Sequence, residues 1–296
     1  MRNLIMTTVN FNANTGNYEA KIGRKVIKSF DKKYVEKQVA KLAPAMEAAA
    51  EKQERFGINQ RFDFVEKLVT MVATGVQPSA VITGEGGLGK TYTVKATLAK
   101  CGLEDLTAVM AEAESSCGEG YVMVKGYSTA KGLYRTLFEN NGSIIVFDDC
   151  DSILKDPTAL NILKGALDSY DTRWVSWNSE MKESDDLPRT FEFTGSIIFI
   201  SNMTQDQIDQ AIRSRSMMID LSMTEDQKID RMEHIALGGG FLPTYSAEHK
   251  MDALNLLREI KAEVKEISLR TLISVTKIRA ANSDGWKDLA TYMLTL

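Results

Sequence analysis

The residues best suited to chemistry stand in one run, Gly84-Glu85-Gly86-Gly87-Leu88-Gly89-Lys90-Thr91, which fits G-x-x-x-x-G-K-[ST] at every fixed position. Glycines let backbone N–H groups turn inward around a phosphate without Cβ clashes, and a helix starting behind them adds a favourable dipole. Lys90 has the reach for β- and γ-phosphates, and the Thr91 hydroxyl is a hard oxygen ligand for Mg²⁺. The expected nucleotide contacts therefore run from Gly84 to Thr91 and the adjoining Tyr92.

Such a loop needs an acid at the end of a neighbouring strand. Ser143-Ile144-Ile145-Val146-Phe147-Asp148-Asp149 supplies two, with Asp148 placed to hold a metal through water and Asp149 to polarise an attacking water. A further apolar run ends in Ser201-Asn202, whose amide can orient water or sense a γ-phosphate without carrying charge. Arg213 and Arg215 precede the last strand-like run, from which an arginine could reach a neighbour's phosphate, and Arg270 opens a late helix that could close onto nucleotide. Taken singly, each of these three features also has a plain structural explanation, a turn residue or a surface ion pair. Their order raises them together.

The elements that must position these groups are legible in the hydropathy pattern. Short continuous apolar runs at 80–82, 121–124, 144–147, 197–200 and 217–219 alternate with helix-length stretches, which predicts a mainly parallel sheet covered on both faces. After Leu221 come only helical stretches, at 224–237, 246–264, 268–281 and 284–294. The expected organisation is an N-terminal extension over 1–58, an α/β nucleotide-binding domain over 59–222 and a helical domain over 223–296. Within the extension, 4–11 and 18–22 read as a hairpin, and 31–55 reads as helical with Pro44 starting or kinking a second helix. Neither an internal repeat nor a low-complexity segment is present.

The succession of phosphate loop, strand-Asp-Asp, strand-Asn, Ser-Arg before the last strand, and a helical domain with Leu269-Arg270 resembles the AAA+ ATPase family over about residues 59–296. Its texture, including Val-Phe-Asp-Asp-Cys-Asp and Ile-Phe-Ile-Ser-Asn, is similar to bacteriophage-encoded members. The resemblance implies an α/β fold with a five-stranded parallel sheet in the order 5-1-4-3-2, a C-terminal helical lid, and a homo-oligomeric ring, commonly a hexamer, with ATP and Mg²⁺ at subunit interfaces. It makes Lys90 and Thr91 the Walker A residues, Asp148 and Asp149 Walker B, and Asn202 sensor 1. Arg215 resembles the arginine finger with Arg213 as its alternate, and Arg270 resembles sensor 2. The second Walker B acid is usually glutamate. Asp149 is one methylene shorter, and a displacement of ~1 Å at a reacting centre can cost about a hundredfold in rate.

Between Asp149 and Asn202, Arg173–Trp177 and Thr190–Phe193 both alternate, which predicts a β-hairpin with a long polar tip. Its position resembles the pre-sensor-1 hairpin with which some related rings grip nucleic acid or a partner. Lys182 and Arg189 could contact phosphates, but Glu180, Glu183, Asp185 and Asp186 outnumber them. Gly126–Gly132 sits where such rings place a pore loop, with Tyr127 or Lys131 as the gripping residue. The plainer reading is a helix start capped by Ser128 or Thr129. The stretch 103–120 reads as an acidic surface excursion.

Composition excludes several classes. The chain has 296 residues, 44% hydrophobic and 26% charged, with three cysteines in no metal-binding spacing and two histidines. No apolar run approaches the ~18 residues needed to span a bilayer, so the expectation is a cytoplasmic protein, in the host cytoplasm if phage-encoded. Residues 1–42 carry nine Lys/Arg against three acids on a chain of net charge −4. That basic arm suits nucleic acid or an acidic partner, and equally a solvated helix face. Two functions remain in view: a ring ATPase that remodels nucleic acid or a protein complex, in phage DNA metabolism by resemblance, and an ATP-switched assembly factor with slow or partner-dependent hydrolysis. A small-molecule kinase needs neither the Ser-Arg nor the Leu-Arg element.

Overall fold

The computed structural model describes residues 9–13, 15–22, 25–107, 120–178, 186–282 and 284–295. The chain forms two compact units, Met1–Gly57 and Ile58–Leu296.

In the first unit, β1 (Asn10–Asn12), β2 (Asn17–Ile22) and β3 (Lys25–Ser29) form an antiparallel sheet in that order, followed by α1 (Lys32–Arg55). Residues 4–8 of the expected first strand lie outside the described residues. The third strand was not expected. Lys25-Val26-Ile27-Lys28-Ser29 is short and half polar, and it is strand only because Ile27 faces Ala20 and Val26 faces Lys21 across β2. Pro44 does not restart the helix, because α1 runs through it in one element. A proline removes one intrahelical N–H, and the run Ala43, Ala45, Ala48, Ala49 and Ala50 around it has the best helix propensity of any residue type.

The second unit is built on a parallel six-stranded sheet. Its strands are β4 (Ser79–Thr83), β5 (Glu104–Asp105), β6 (Gly120–Lys125), β7 (Ile144–Asp148), β10 (Ser196–Ile200) and β11 (Met217–Asp220), in the order β11-β4-β10-β7-β6-β5. Five of these keep the expected order, and the expected count is corrected by the two-residue edge strand β5. That strand falls in the acidic stretch, where no hydrophobic run marks it. It is held by Asp105, whose carboxylate takes Lys95 Nζ at 2.8 Å, Thr107 Oγ1 and Tyr121 OH, and lies at about pKa 2 despite its partial burial. Residues 108–119 of the same stretch lie outside the described residues.

Alternation along each strand builds two cores. Val81, Ile145, Phe147, Ile197 and Phe199 pack with α4 (Ala130–Glu139), α5 (Pro157–Ala166) and α6 (Gln210–Arg215) on one face. Ala80, Ile82, Val146, Ile198 and Ile200 pack with α2 (Ile58–Ala73) and α3 (Lys90–Lys100) on the other. The expected hairpin is present as β8 (Trp174–Ser176) and β9 (Thr190–Glu192), paired antiparallel. Its inward residues Val175 and Phe191 are buried, Trp177 packs against Tyr134, and Trp174 is exposed. The tip residues 179–185 lie outside the described residues.

Among the described residues, four helices follow the sheet: α7 (Glu225–Leu237), α8 (Ala247–Ile260), α9 (Leu269–Ala281) and α10 (Trp286–Thr295). They close over their own core, with Met232, Leu254, Leu257, Leu272 and Val275 fully buried. The join to the sheet is polar. Buried Arg61 of α2 donates to Asp220 O at 3.1 Å, Ser222 O at 2.8 Å and Gln227 Oε1 at 3.3 Å, which fixes the chain as it leaves β11 and enters α7. No described helix is long and apolar enough to cross a membrane.

Candidate nucleotide site

The loop Gly84–Gly89 links β4 to α3 at the carboxyl end of the sheet. Ser79–Thr83 is buried throughout, and Leu88 is buried beneath the loop, so the turn is pinned at both ends. Two glycines are required by geometry. A Cβ at Gly84 would lie 2.8 Å from the backbone of Leu221, and one at Gly87, where φ is +75°, would lie 2.9 Å from Ser268 Cβ. The residue before α3 is Gly89, at φ 95°, and no side chain caps the helix, so its first N–H groups remain available to an anion.

Lys90 is almost fully buried. Its Nζ donates to Gly84 O at 2.7 Å, Glu85 O at 2.6 Å and Asn202 Oδ1 at 3.0 Å. Burial pulls its pKa down to about 8, against the opposing pull of Asp149, Asp148 and Asp151. The other end of the Asn202 amide donates from Nδ2 to Asp149 Oδ1 at 2.7 Å. One amide thus joins the loop lysine to the second acid.

Asp148 and Asp149 sit in different surroundings. Asp148, buried at the end of β7, accepts from Thr91 Oγ1 at 3.0 Å on Oδ1 and pairs with Lys125 Nζ at 3.1 Å on Oδ2. Asp149 is exposed and adopts φ 57°, a left-handed backbone that Asp tolerates better than most residues, while its N–H is held by Ile200 O at 3.0 Å. That turn swings its carboxylate to Asn202. Asp151 accepts from buried Ser201 Oγ at 2.6 Å, which locks β10 to the acidic turn. Cys150 is buried, its thiol pushed up to about 11 mainly by loss of water, so it serves as inert packing.

The residues fit a phosphate-bound Mg²⁺. The Thr91 hydroxyl and the Asp148 carboxylate are adjacent hard oxygen donors, while no group of three or more His, Cys, Asp or Glu is placed to hold a metal among the described residues. A small ion that keeps its waters and shares a nucleotide's phosphates suits that donor set better than a closed protein cage would.

The structure therefore brings Lys90, Thr91, Asp148, Asp149 and Asn202 together. Tyr92 is adjacent but 75% exposed. Arg270 is exposed, and it follows Leu269, whose N–H donates to Gly87 O at 2.8 Å. Arg213 is exposed, whereas Arg215 donates from one guanidinium nitrogen to Ala211 O at 3.2 Å and buries its Nε. Among the described residues, no hydrogen bond or ion pair joins either arginine to the phosphate loop. The helix after Gly126 starts with Thr129 as its cap, accepting from Gly132 N at 3.1 Å, while Tyr127 is 82% exposed. Sequence reasoning passed over Lys125, Arg61 and Lys228, the last a buried lysine paired with Glu85 at 2.7 Å. No local pattern marks them, since each acts on a residue distant in the chain.

Residues 80–222 match the family model described as ATPase family associated with various cellular activities (AAA). An uncharacterized 36.7 kDa protein from the nrdC–mobD intergenic region of Enterobacteria phage T4 is 30% identical over 251 residues, covering 79% of this chain and 73% of that protein. The chain belongs to the AAA+ ATPase family. Among solved structures, a point variant of Thermotoga maritima RuvB aligns over 77% of this AAA+ chain and 63% of its own length, with 12% identity and a TM-score of 0.43. A chain of the E. coli MS115-1 HORMA:CdnC:Trip13 complex aligns over 83% of this chain and 90% of its own, with 11% identity and a TM-score of 0.40.

Proposed function

We propose that this AAA+ protein binds Mg-ATP between residues 59–222 and a lid formed by 223–296, assembles into a ring, commonly a hexamer in this family, and couples ATP hydrolysis to remodelling of nucleic acid or a protein complex in the host cytoplasm. The observation that carries the hydrolytic part is the hydrogen-bonded chain Lys90–Asn202–Asp149 beside the Thr91–Asp148 pair. That row supports a reading in which Lys90 is the phosphate-binding cation, Asn202 a neutral orienting amide and Asp149 the general base.

The roles follow from these positions. Lys90 exchanges its carbonyl and Asn202 contacts for β- and γ-phosphate oxygens, and the loop N–H groups take the remaining charge. Thr91 and Asp148 would hold Mg²⁺, which would supply charge neutralisation at the phosphates. Asp149 accepts the proton of the attacking water while Asn202 orients both. Arg270 lies one residue from the lid's hydrogen bond to the loop, in place for a sensor 2 role. Arg213 and Arg215 are the trans candidates, and the exposure of Arg213 makes it the freer to reach a neighbouring subunit.

The second reading, an ATP-switched assembly factor with slow hydrolysis, is favoured by one feature. Asp149 is short and already engaged by Asn202 at 2.7 Å, which costs reach toward a water. Light scattering with and without ATP, run beside phosphate release with single-stranded DNA, duplex DNA and RNA, separates the two. ATP-driven assembly with polymer-stimulated turnover supports the motor. Assembly with negligible turnover supports the switch, and a monomer with full turnover unaffected by Arg213→Ala or Arg215→Ala refutes an interface site.

A further inference from the structure

The first unit, Met1–Gly57, carries a charge pattern that the nucleotide site leaves unused. Over residues 9–42 the acids are Glu19, Asp31 and Glu36, and each is engaged. Glu19 Oε1 meets Lys28 Nζ at 3.2 Å, and Glu36 Oε1 meets Lys32 Nζ at 3.7 Å. Asp31 Oδ1 accepts from Lys33 N at 2.9 Å, at the start of α1. Lys33, Lys37 and Lys41 are exposed and have no ion pair among the described residues. They recur every fourth residue of α1, so they stand about 6 Å apart along the axis and within an arc of about 80°. Val35, on the opposite side of the helix, is fully buried.

Aromatic rings lead up to this arc. Phe11 of β1 and Tyr18 of β2 are paired across the sheet with ring centroids 5.1 Å apart, and Ser29 of β3 continues their row. Phe30 comes next, against the β1–β2 turn, where a Cβ on Gly16 would lie 3.9 Å from its ring. An apolar residue just before a helix cap ordinarily folds back onto the first turns of the helix, here onto Val35. Phe30 is instead 77% exposed, and Phe11 and Tyr34 are exposed with it. Tyr34 follows Lys33 directly and lies at the edge of the lysine arc.

We infer that this face of the N-terminal unit is a binding site for single-stranded nucleic acid, with Phe30 and Tyr34 stacking on bases and Lys33, Lys37 and Lys41 pairing with successive phosphates. A single strand offers both an open π-face and a line of regularly spaced negative charges, which is the combination the rings and lysines complement. A duplex keeps its bases stacked inside. An acidic protein segment satisfies the lysines and gives the rings nothing to stack on. The inference selects nucleic acid as the polymer engaged by the proposed ATPase, and it rests on that reading only for the use to which binding is put.

Fluorescence anisotropy tests it, with labelled deoxythymidylate and uridylate strands of about 20 nucleotides titrated by the full-length protein in the absence of ATP. At least one strand is expected to bind at least about tenfold more tightly than a duplex of equal length, and the tighter of the two is the ligand. Each phosphate contact adds about 0.7 to the slope of log K against log salt, so Lys33→Gln/Lys37→Gln/Lys41→Gln should lower that slope by about two and the affinity by about a hundredfold near about 0.1 M salt. Phe30→Ala and Tyr34→Ala should each weaken binding at least about fivefold with the slope unchanged. Lys33→Arg/Lys37→Arg/Lys41→Arg keeps the charge and should stay within about threefold of wild type, while thermal unfolding checks that every variant is folded. Phosphate release without polymer is measured on the same samples. A protein that binds strands and releases no phosphate counts against the hydrolytic reading and leaves this inference standing. Hydrolysis without strand binding overturns the inference alone. It is also overturned by strand affinity unchanged in the glutamine variant or in both alanine variants, by a duplex that binds as tightly as either strand, or by polyglutamate that binds more tightly than both.

Discussion

On the nucleotide-binding reading proposed above, the buried Lys90 is expected to make ATP binding titrate. Its pKa of about 8 arises because burial removes more hydration than Asp149, Asp148 and Asp151 restore by attraction. Phosphate recognition needs the ammonium, so above about pH 8 the free protein must take up a proton to bind. If bound phosphate holds the lysine charged throughout, the apparent Kd scales with the inverse of the protonated fraction, giving about an eightfold rise between about pH 7.5 and 9. ATP in the presence of Mg²⁺ does not titrate in this window, so the slope belongs to the protein. Calorimetric titration at several pH values measures it, and repetition in buffers of different ionisation enthalpy counts the proton taken up. Lys90→Arg should flatten the profile. Stability without nucleotide has the opposite sign. The unfolded chain, with its lysine near 10.5, binds the proton more tightly, so this group penalises the fold below about pH 8. The penalty, about 3 kcal/mol, is relieved as pH rises toward 10.5. A Kd that stays flat from about pH 7.5 to 9 would refute the claim that a desolvated Lys90 is the phosphate ligand.

Three further outcomes follow from the same geometry. Asp149→Asn keeps an acceptor for Asn202 Nδ2 and should leave ATP affinity within about threefold while lowering phosphate release by about a hundredfold or more; an unchanged rate would remove Asp149 as the base. Gly87→Ala meets both a left-handed backbone and Ser268 Cβ at 2.9 Å, whereas Gly239→Ala meets a left-handed backbone alone. The first should lower the melting temperature by several degrees more than the second and weaken ATP binding, and equal shifts would show that Ser268 simply moves aside. Lys125→Met frees Oδ2 of Asp148 and removes a cation that competes with Mg²⁺, so the Mg²⁺ midpoint for ATP binding should fall by about three- to tenfold at low salt; an unchanged midpoint would mean that the Lys125 pair yields at no cost.

Much of the site was legible because its chemistry leaves little freedom. A phosphate cradle needs glycines, a lysine and a hydroxyl at fixed spacing, and the apolar runs that end in Asp148 and Asn202 can only be buried parallel strands when helices separate them. What could not be read depends on partners distant in the chain. The edge strand Glu104–Asp105 exists because Lys95, Thr107 and Tyr121 converge on Asp105. The strand Lys25–Ser29 exists because β2 offers it an edge. Pro44 looked like a boundary because local rules assign it one, yet the alanines around it carry α1 through. Arg173 in the hairpin base has partners that the sequence does not mark. Its guanidinium is committed to Ala166 O and Gly195 O, and it lies over the ring of Phe193. The ion pair of Glu85 with Lys228 belongs to the same class, a contact between residues far apart in sequence that only the folded chain reveals.

The most direct test of the account is phosphate release from Mg-ATP by the full-length protein beside Lys90→Ala, with folding of the variant verified by thermal unfolding. The account predicts measurable turnover in the wild type and none above background in the folded variant. Equal phosphate release from the two would contradict it, because the chemistry would then not pass through this loop.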